Sequence, residues 1–268
     1  MFKNYLKIAL RNIKKYKGYS FINIAGLAIG MSCCLLIMLY VKQELSYDQF
    51  HENAGRIYRA ALEVTTPEGK KYRAQTMFPV VPAFKSDYPD VKHMARLQYW
   101  NDDVLVSAGD RKFFEAGFVF MDSSFFDIFT FPVVRGKRQN LLADKSSLVI
   151  TESMAEKYFG DQDPIGKVIV YDNSLSLKVA AVIEDVPVNS HFHFNFAAPI
   201  ALLDKNLIGF NPRQWGGRIR DLFLYDYAGK CLGGTNGGEG ERFYYQAWGQ
   251  TQHCQLSPLL PASQRYSS

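Results

Sequence analysis

The sequence predicts an α+β protein in which one N-terminal transmembrane helix is followed by a mixed α/β extracytoplasmic domain. Three observations predict it. An uncharged run spans positions 18–41, a purely cationic stretch precedes it, and helix and strand patterns alternate along residues 42–208 with no cysteine among them.

As a helix rising about 1.5 Å per residue, the uncharged run reaches roughly 36 Å, enough to cross a hydrocarbon core of about 30 Å. A cleaved secretory signal has a shorter apolar core and a small-residue cleavage site after it, and "LYVKQELSY" offers none. A lipoprotein signal ending at Cys33 is disfavoured by "GMSC". The run therefore reads as a permanent anchor. Lys3, Lys7, Arg11, Lys14, Lys15 and Lys17 precede it with no acid, whereas Lys42 stands beside Glu44, Asp48 and Glu52 after it. Cationic flanks stay in the cytoplasm, so residues 1–17 are expected inside and everything after Val41 outside. Those six cations account for the whole formal charge of +5. The basic balance is thus a topology signal, and it gives no reason to expect nucleic acid as a partner.

Residues 1–17 form a basic amphipathic helix, with Phe2, Leu6, Ala9, Leu10 and Ile13 at helical spacing and Lys3, Lys7, Arg11 and Lys14 on another face. Such a helix lies on an anionic leaflet or docks a cytoplasmic partner, and periodicity does not separate the two. Within the span of residues 18–41, Asn23, Gly26 and Gly30 line one face, and Gly26 and Gly30 form a GxxxG. Small faces let membrane helices approach closely, and an amide in lipid wants a partner. That face expects a second membrane helix.

Residues 42–208 are long enough to bury a core. "GRIYRAALEVTT" reads as a strand, "PEGK" as a turn, "KKYRAQT" as the return strand and "VVPAFKSDYP" as a short helix. "ARLQYW", "DVLVSAG" and "RKFFEAGFVF" read as three strands joined by "NDD" and "AGDR". "LVIT" leads into the helix "ESMAEKYFG", with Thr151 as N-cap and Gly160 as its stop. "KVIVYDN" and "LSLKVAAVIEDV" form a hairpin, and "HFHFNF" is a last alternating strand. The eight Phe between Phe113 and Phe131 are read as core in preference to a greasy groove.

Chemistry is sparse. His191 and His193 have the spacing of a metal pair on one strand face but lack further ligands. Asp161 and Asp163, beside Pro164 and Gly166, read as turn residues. No phosphate loop with a Lys-Ser/Thr end and no nucleophile triad is signalled. The expectation is a protein that is not an enzyme, with no cofactor, no metal and no catalytic residue.

Taken together, the basic helix, the span, "YDQFHENAGRIYRA", "FFDIFTFPVVRG", "LVITESMAEKYFGDQDPIGK" and "VAAVIEDVPVNSHFHFNF" resemble the N-terminal half of MacB-like and FtsX-like permease subunits of ABC transporters. The resemblance covers about residues 1–208. It implies a bacterial inner-membrane protein with a periplasmic core of porter-like and sabre-like subdomains. It also implies a separate cytoplasmic ABC ATPase subunit, and coupling of that ATPase to periplasmic shape change for efflux or signalling. Lys3, Lys7, Arg11 and Lys14 would then dock the ATPase. Asn23, Gly26 and Gly30 would pack on helices of a second copy or another permease subunit, and a periplasmic adaptor or lipoprotein is a further expected partner. The alternative is an autonomous single-pass, membrane-anchored binding protein.

Residues 209–268 depart from this pattern. They hold ten of the twenty glycines, the run "CLGGTNGGEGE", Cys231 and Cys254, and show no strand or helix period. A low-order tail is expected there. A flexible end and a shifted reading frame that truncates the permease both account for it, the second being favoured by the loss of apolar runs.

Overall fold

The structure, a computed structural model, describes residues 2–66, 69–73, 76–78, 81, 91–99, 103–139, 141–203, 218–219, 221–225, 242–247 and 253–256. The chain divides into two units, residues 1–47 and 48–268.

The first unit is helical. Helix α1 (Phe2–Lys15) ends where Tyr16 leaves helical geometry (φ −114°, ψ 59°), and α2 (Lys17–Leu45) follows. Its 29 residues include a window of mean hydropathy 2.4, and no residue of α2 is buried. An apolar helix with no covered face is what a bilayer, rather than a protein core, would solvate.

The second unit is built on a large mixed sheet. Its strands are β1 (Ile57–Thr66), β2 (Gly69–Arg73), β3 (Thr76–Met77), β4 (His93–Tyr99), β5 (Val104–Ala108) and β6 (Arg111–Glu115). There follow β7 (Phe118–Met121), β8 (Val133–Gly136), β9 (Ser147–Thr151), β10 (Val168–Tyr171), β11 (Leu175–Ile183) and β12 (Phe196–Pro199). Two short helices, α3 (Phe125–Ile128) and α4 (Glu152–Phe159), interrupt them. The middle of the sheet runs β4-β7-β12-β9-β11-β10-β5-β6, with parallel pairs β7–β12 and β9–β11 and the rest antiparallel.

Strands β7, β9 and β12 are buried at every position. Both faces are therefore covered, which explains the nearly unbroken apolar runs "FVFM", "LVIT" and "FAAP". Phe118, Phe120, Leu148, Ile150 and Phe196 face the side covered by Tyr158 and Phe159 of α4. Val119, Met121, Val149 and Ala197 face the side filled by α3 and its aromatics. Along β11 the register slips beside β9 between Val179 and Ala181, so Val179 and Val182, three apart, share one face while Ala181 and Ile183 take the other.

Six of the eight phenylalanines between 113 and 131 are core, and Phe113 and Phe114 are exposed. "RKFFEAGFVF" is not one strand. Gly117, at φ +76°, breaks it, sending Arg111–Glu115 to the end of the sheet and Phe118–Met121 to its centre. A Cβ at Gly117 would stand 3.2 Å from the Asn195 nitrogen, so the break needs glycine for both reasons. "HFHFNF" alternates as expected, with Phe192, Phe194 and Phe196 buried, but ladder pairing begins only at Phe196. The expected helix "VVPAFKSDYP" lies outside the described residues apart from Val81.

Thr151 holds the N-cap position of α4 without capping it. The Ser153 amide instead donates to Asp185 Oδ1 at 3.1 Å, and the Ser153 hydroxyl bonds Oδ2 of the same carboxylate. The Thr151 hydroxyl is buried with no hydrogen-bond partner among the described residues. Gly160, at φ +58°, closes the helix as expected.

Within 209–268, where no strand period is visible, the described residues are strands: β13 (Arg218–Ile219), β14 (Asp221–Tyr225), β15 (Arg242–Ala247) and β16 (His253–Leu256). Strand β14 lies between β1 and β4, pairing Tyr225 with Ile57 and Asp221 with Leu97. A short strand held by two ladders takes its order from backbone hydrogen bonds, which leave no period in the sequence. The glycine-rich run and Cys231 lie outside the described residues.

Candidate functional site

Helix α2 ends at Leu45, and three residues later the chain enters the second unit at Asp48. Asp48 has φ +54° and a side chain with no exposure to solvent. A buried carboxylate must be saturated with donors or it costs several kcal/mol. Here its Oδ1 accepts from the His191 amide at 3.0 Å and the Ser190 hydroxyl at 3.3 Å, and its Oδ2 bonds His191 Nδ1. The Asp48 amide donates to the Asn189 carbonyl at 3.0 Å, and Ser190 Oγ accepts from the Phe192 amide at 3.2 Å. One carboxylate thus ties the first residue of the domain to a loop remote from it in sequence, just before β12.

His51 grips a second loop. Its Nδ1 accepts from the Thr130 amide at 3.1 Å, and the Glu52 amide donates to Thr130 Oγ1 at 3.2 Å. Its ring is 2 % exposed and stands edge-on to Phe129 and Phe131, with centroids 5.0 and 5.4 Å away. Burial pushes the imidazole down to about 4, outweighing the nearby Asp48 charge. A neutral ring that accepts at Nδ1 carries its proton on Nε2, and Nε2 is buried with no hydrogen-bond partner among the described residues. Phe125 lies against both Phe192 and Phe131, closing the cluster.

A separate cleft of about 410 Å³ is lined by Gly117, Ser153, Asp185, His193 and Asn195. His191 and His193 thus serve different places, the first bonded to Asp48 and the second lining the cleft. Among the described residues no group of three or more His, Cys, Asp or Glu side chains is placed to hold a metal. Ser190 is a hydrogen-bonding relay, accepting from the Phe192 amide and donating to Asp48. The arrangement holds the start of the domain to two loops of its core.

The residues singled out by pattern are all in the first unit. Lys7, Arg11 and Lys14 are exposed on α1, and the side chain of Lys3 lies outside the described residues. Asn23, Gly26 and Gly30 follow one another on one face of α2, all exposed, and a Cβ at either glycine would meet nothing within 4 Å. Sequence reasoning missed Asp48, His51 and Ser190. Their signal was present: each lies inside a segment that carries the family resemblance.

Those segments are the ones that meet. "YDQFHEN" supplies Asp48 and His51, "FFDIFTF" supplies Phe125, Phe129 and Thr130, and "VNSHFHF" supplies Ser190 and His191. The chain matches the MacB-like periplasmic core domain over residues 20–221. It belongs to that family. Members of this family are periplasmic domains of ABC-type permeases. Among solved structures, the chain is similar to a domain of a protein assigned as a permease from Porphyromonas gingivalis. The identity is 22%, the TM-score 0.57, and the match covers 68% of this chain and 77% of that one. It is also similar to the periplasmic region of MacB from Actinobacillus actinomycetemcomitans, at 15% identity and TM-score 0.48, covering 66% of this chain and 77% of that one. No curated protein matches the sequence.

Proposed function

We propose that this chain is the permease subunit of an ABC transporter, coupling a partner ATPase in the cytoplasm to shape change in a periplasmic domain. The observation that carries the reading is the Asp48 junction. Three residues after α2 ends, a solvent-free carboxylate binds the chain to the loop before β12, and His51 binds it to the loop after α3. Displacement of the chain at Asp48 is thereby delivered to two loops of the sheet core at once.

On this reading α2 spans the inner membrane with its N-terminus in the cytoplasm, as the cation bias before it requires. Lys3, Lys7, Arg11 and Lys14 dock the ATPase. Asn23, Gly26 and Gly30 take a neighbouring membrane helix from a second copy or another permease subunit. A periplasmic adaptor or lipoprotein would receive the motion. The experiment is affinity purification of the tagged chain from membranes of its host, with ATPase activity and mass spectrometry of what co-purifies. An ABC ATPase is expected with the native chain and lost with Lys7→Glu/Arg11→Glu. It should be retained, with its activity uncoupled, in Asp48→Ala. An anchored chain that retains no ATPase and binds a ligand through its domain instead supports the autonomous binding protein.

A further inference from the structure

The sheet ends at β6, which pairs only with β5 among the described residues. One face of β6 is committed. Phe113 stands edge-on to Tyr158 with centroids 5.6 Å apart, and Lys157 Nζ lies 4.7 Å from its ring centre. Glu115 accepts from the Tyr158 hydroxyl at 2.8 Å and pairs with Lys157 at 2.7 Å, while Arg111 donates to the Lys157 carbonyl. The hairpin is therefore fixed against α4 rather than waving free. The other face is open: Lys112 is exposed, and Phe114 is 72% exposed.

Backbone parity shows which groups look outward. The Leu105 carbonyl accepts from the Asp172 amide on the β10 side, so Leu105 and its partner Phe114 form a non-hydrogen-bonded pair of the β5–β6 ladder. Phe114 then turns its N–H and C=O to the outer edge, and Lys112, two residues earlier, does the same. Proteins usually blunt such an edge with charge, shortness or a bulge. This one carries a large exposed aromatic.

The edge sequence Arg111-Lys112-Phe113-Phe114-Glu115 is its own complement when read antiparallel. With a two-fold axis at Phe113, Arg111 stands opposite Glu115 of a second copy and Phe113 opposite Phe113. Lys112 stands opposite Phe114 as a hydrogen-bonded pair, a cation facing an aromatic ring. Cation–aromatic neighbours favour pairing across strands, and this register sets no like charges against each other. A register shifted to an axis at Lys112 sets lysine against lysine. We infer that β6 is a self-pairing edge, through which two copies of this chain join their sheets antiparallel and cover each other's Phe114. The inference goes beyond the permease reading and needs no ATPase.

Cross-linking in membranes tests it. In the full chain with Cys33, Cys34, Cys231 and Cys254 changed to Ser, Phe113→Cys places two thiols at the axis. Facing Cα atoms of a non-hydrogen-bonded pair lie about 4.5 Å apart, within disulfide range. Mild oxidation should give a disulfide-linked dimer, on the order of tenfold more than Val168→Cys, an exposed site on β10, because pairing raises the effective thiol concentration. Since Phe113→Cys removes a ring packed on Tyr158, a second variant guards the result. Adding Phe114→Pro removes an outward N–H but no β5–β6 bond, and cross-linking should be lost. Equal cross-linking at positions 113 and 168, or cross-linking that survives Phe114→Pro, overturns the proposal. ATPase co-purification is scored separately on the same membranes, so failure of one reading is distinguishable from failure of the other.

Discussion

Replacing His51 with Phe isolates one buried titration and gives its size. The folded-state imidazole sits near 4 because it is desolvated, against 6.5 when exposed. With the folded value depressed, the unfolded chain binds the extra proton first as pH falls. Stability from this group is fully present above about 6.5, falls as pH drops from there toward 4, and is level again below 4. The full difference of about 2.5 units corresponds to about 3 kcal/mol, of which about 2 kcal/mol is lost between pH 7 and pH 5. Phe fills the same space against Phe129 and Phe131 but removes the acceptor of the Thr130 amide, a pH-independent cost of about 1–3 kcal/mol. Urea unfolding of the detergent-solubilised chain, followed by intrinsic fluorescence at pH 7, 6 and 5, supplies both curves. The native chain should lose about 2 kcal/mol more than His51→Phe over that range. Parallel losses in the two chains would refute the argument that His51 is buried neutral at the junction.

Asp48→Ala should cost about 3 kcal/mol in the same assay, since three donors lose one buried acceptor, while His191→Ala should cost less than about 1, its ring being mostly exposed. Equal costs would mean that the Oδ2 contact, not burial, dominates. Asp185→Ala should destabilise by about 1 kcal/mol through loss of the α4 cap, and Thr151→Val should be neutral or stabilising because the hydroxyl it deletes is buried and unpaired. A destabilising Thr151→Val would return the cap to Thr151. Gly136→Ala should cost about 2 kcal/mol or more, because φ is +96° and the new Cβ would lie 2.6 Å from the Ala180 carbonyl oxygen. Gly160→Ala, at φ +58° with open space around it, should cost about 1 kcal/mol. Thermal melts of the two variants compare them directly.

Much of the domain was legible because its elements are local. Residues 148–160 announce a strand, a helix and a glycine stop in order, and the β10–β11 hairpin shows its own turn. Where two segments compete for one position, the pattern misled. "RKFFEAGFVF" carries large apolar residues on both sides of Gly117, and nothing in it says that its halves part there, one for the edge and one for the centre. Thr151 has the right residue type for a cap, but Asp185 arrives from beyond the end of β11 and takes the bond. His191 shows only a metal-pair spacing in sequence, set aside for want of further ligands, because its actual partner, Asp48, stands at the far end of the domain's sequence. In each case the deciding group is remote in sequence and near in space.

The sequence by itself determined the long apolar helix, the cation bias before it and the α+β class, and its motifs carried the family resemblance. The first three follow from composition and short-range periodicity, which act through solvent transfer and neighbouring turns of one element. Only the tertiary structure decided that three family segments converge on Asp48 and His51, that a strand from 221–225 completes the sheet between β1 and β4, and which phenylalanines are core. Those outcomes depend on closing long loops, paid for by burial and shared hydrogen bonds that no local window contains.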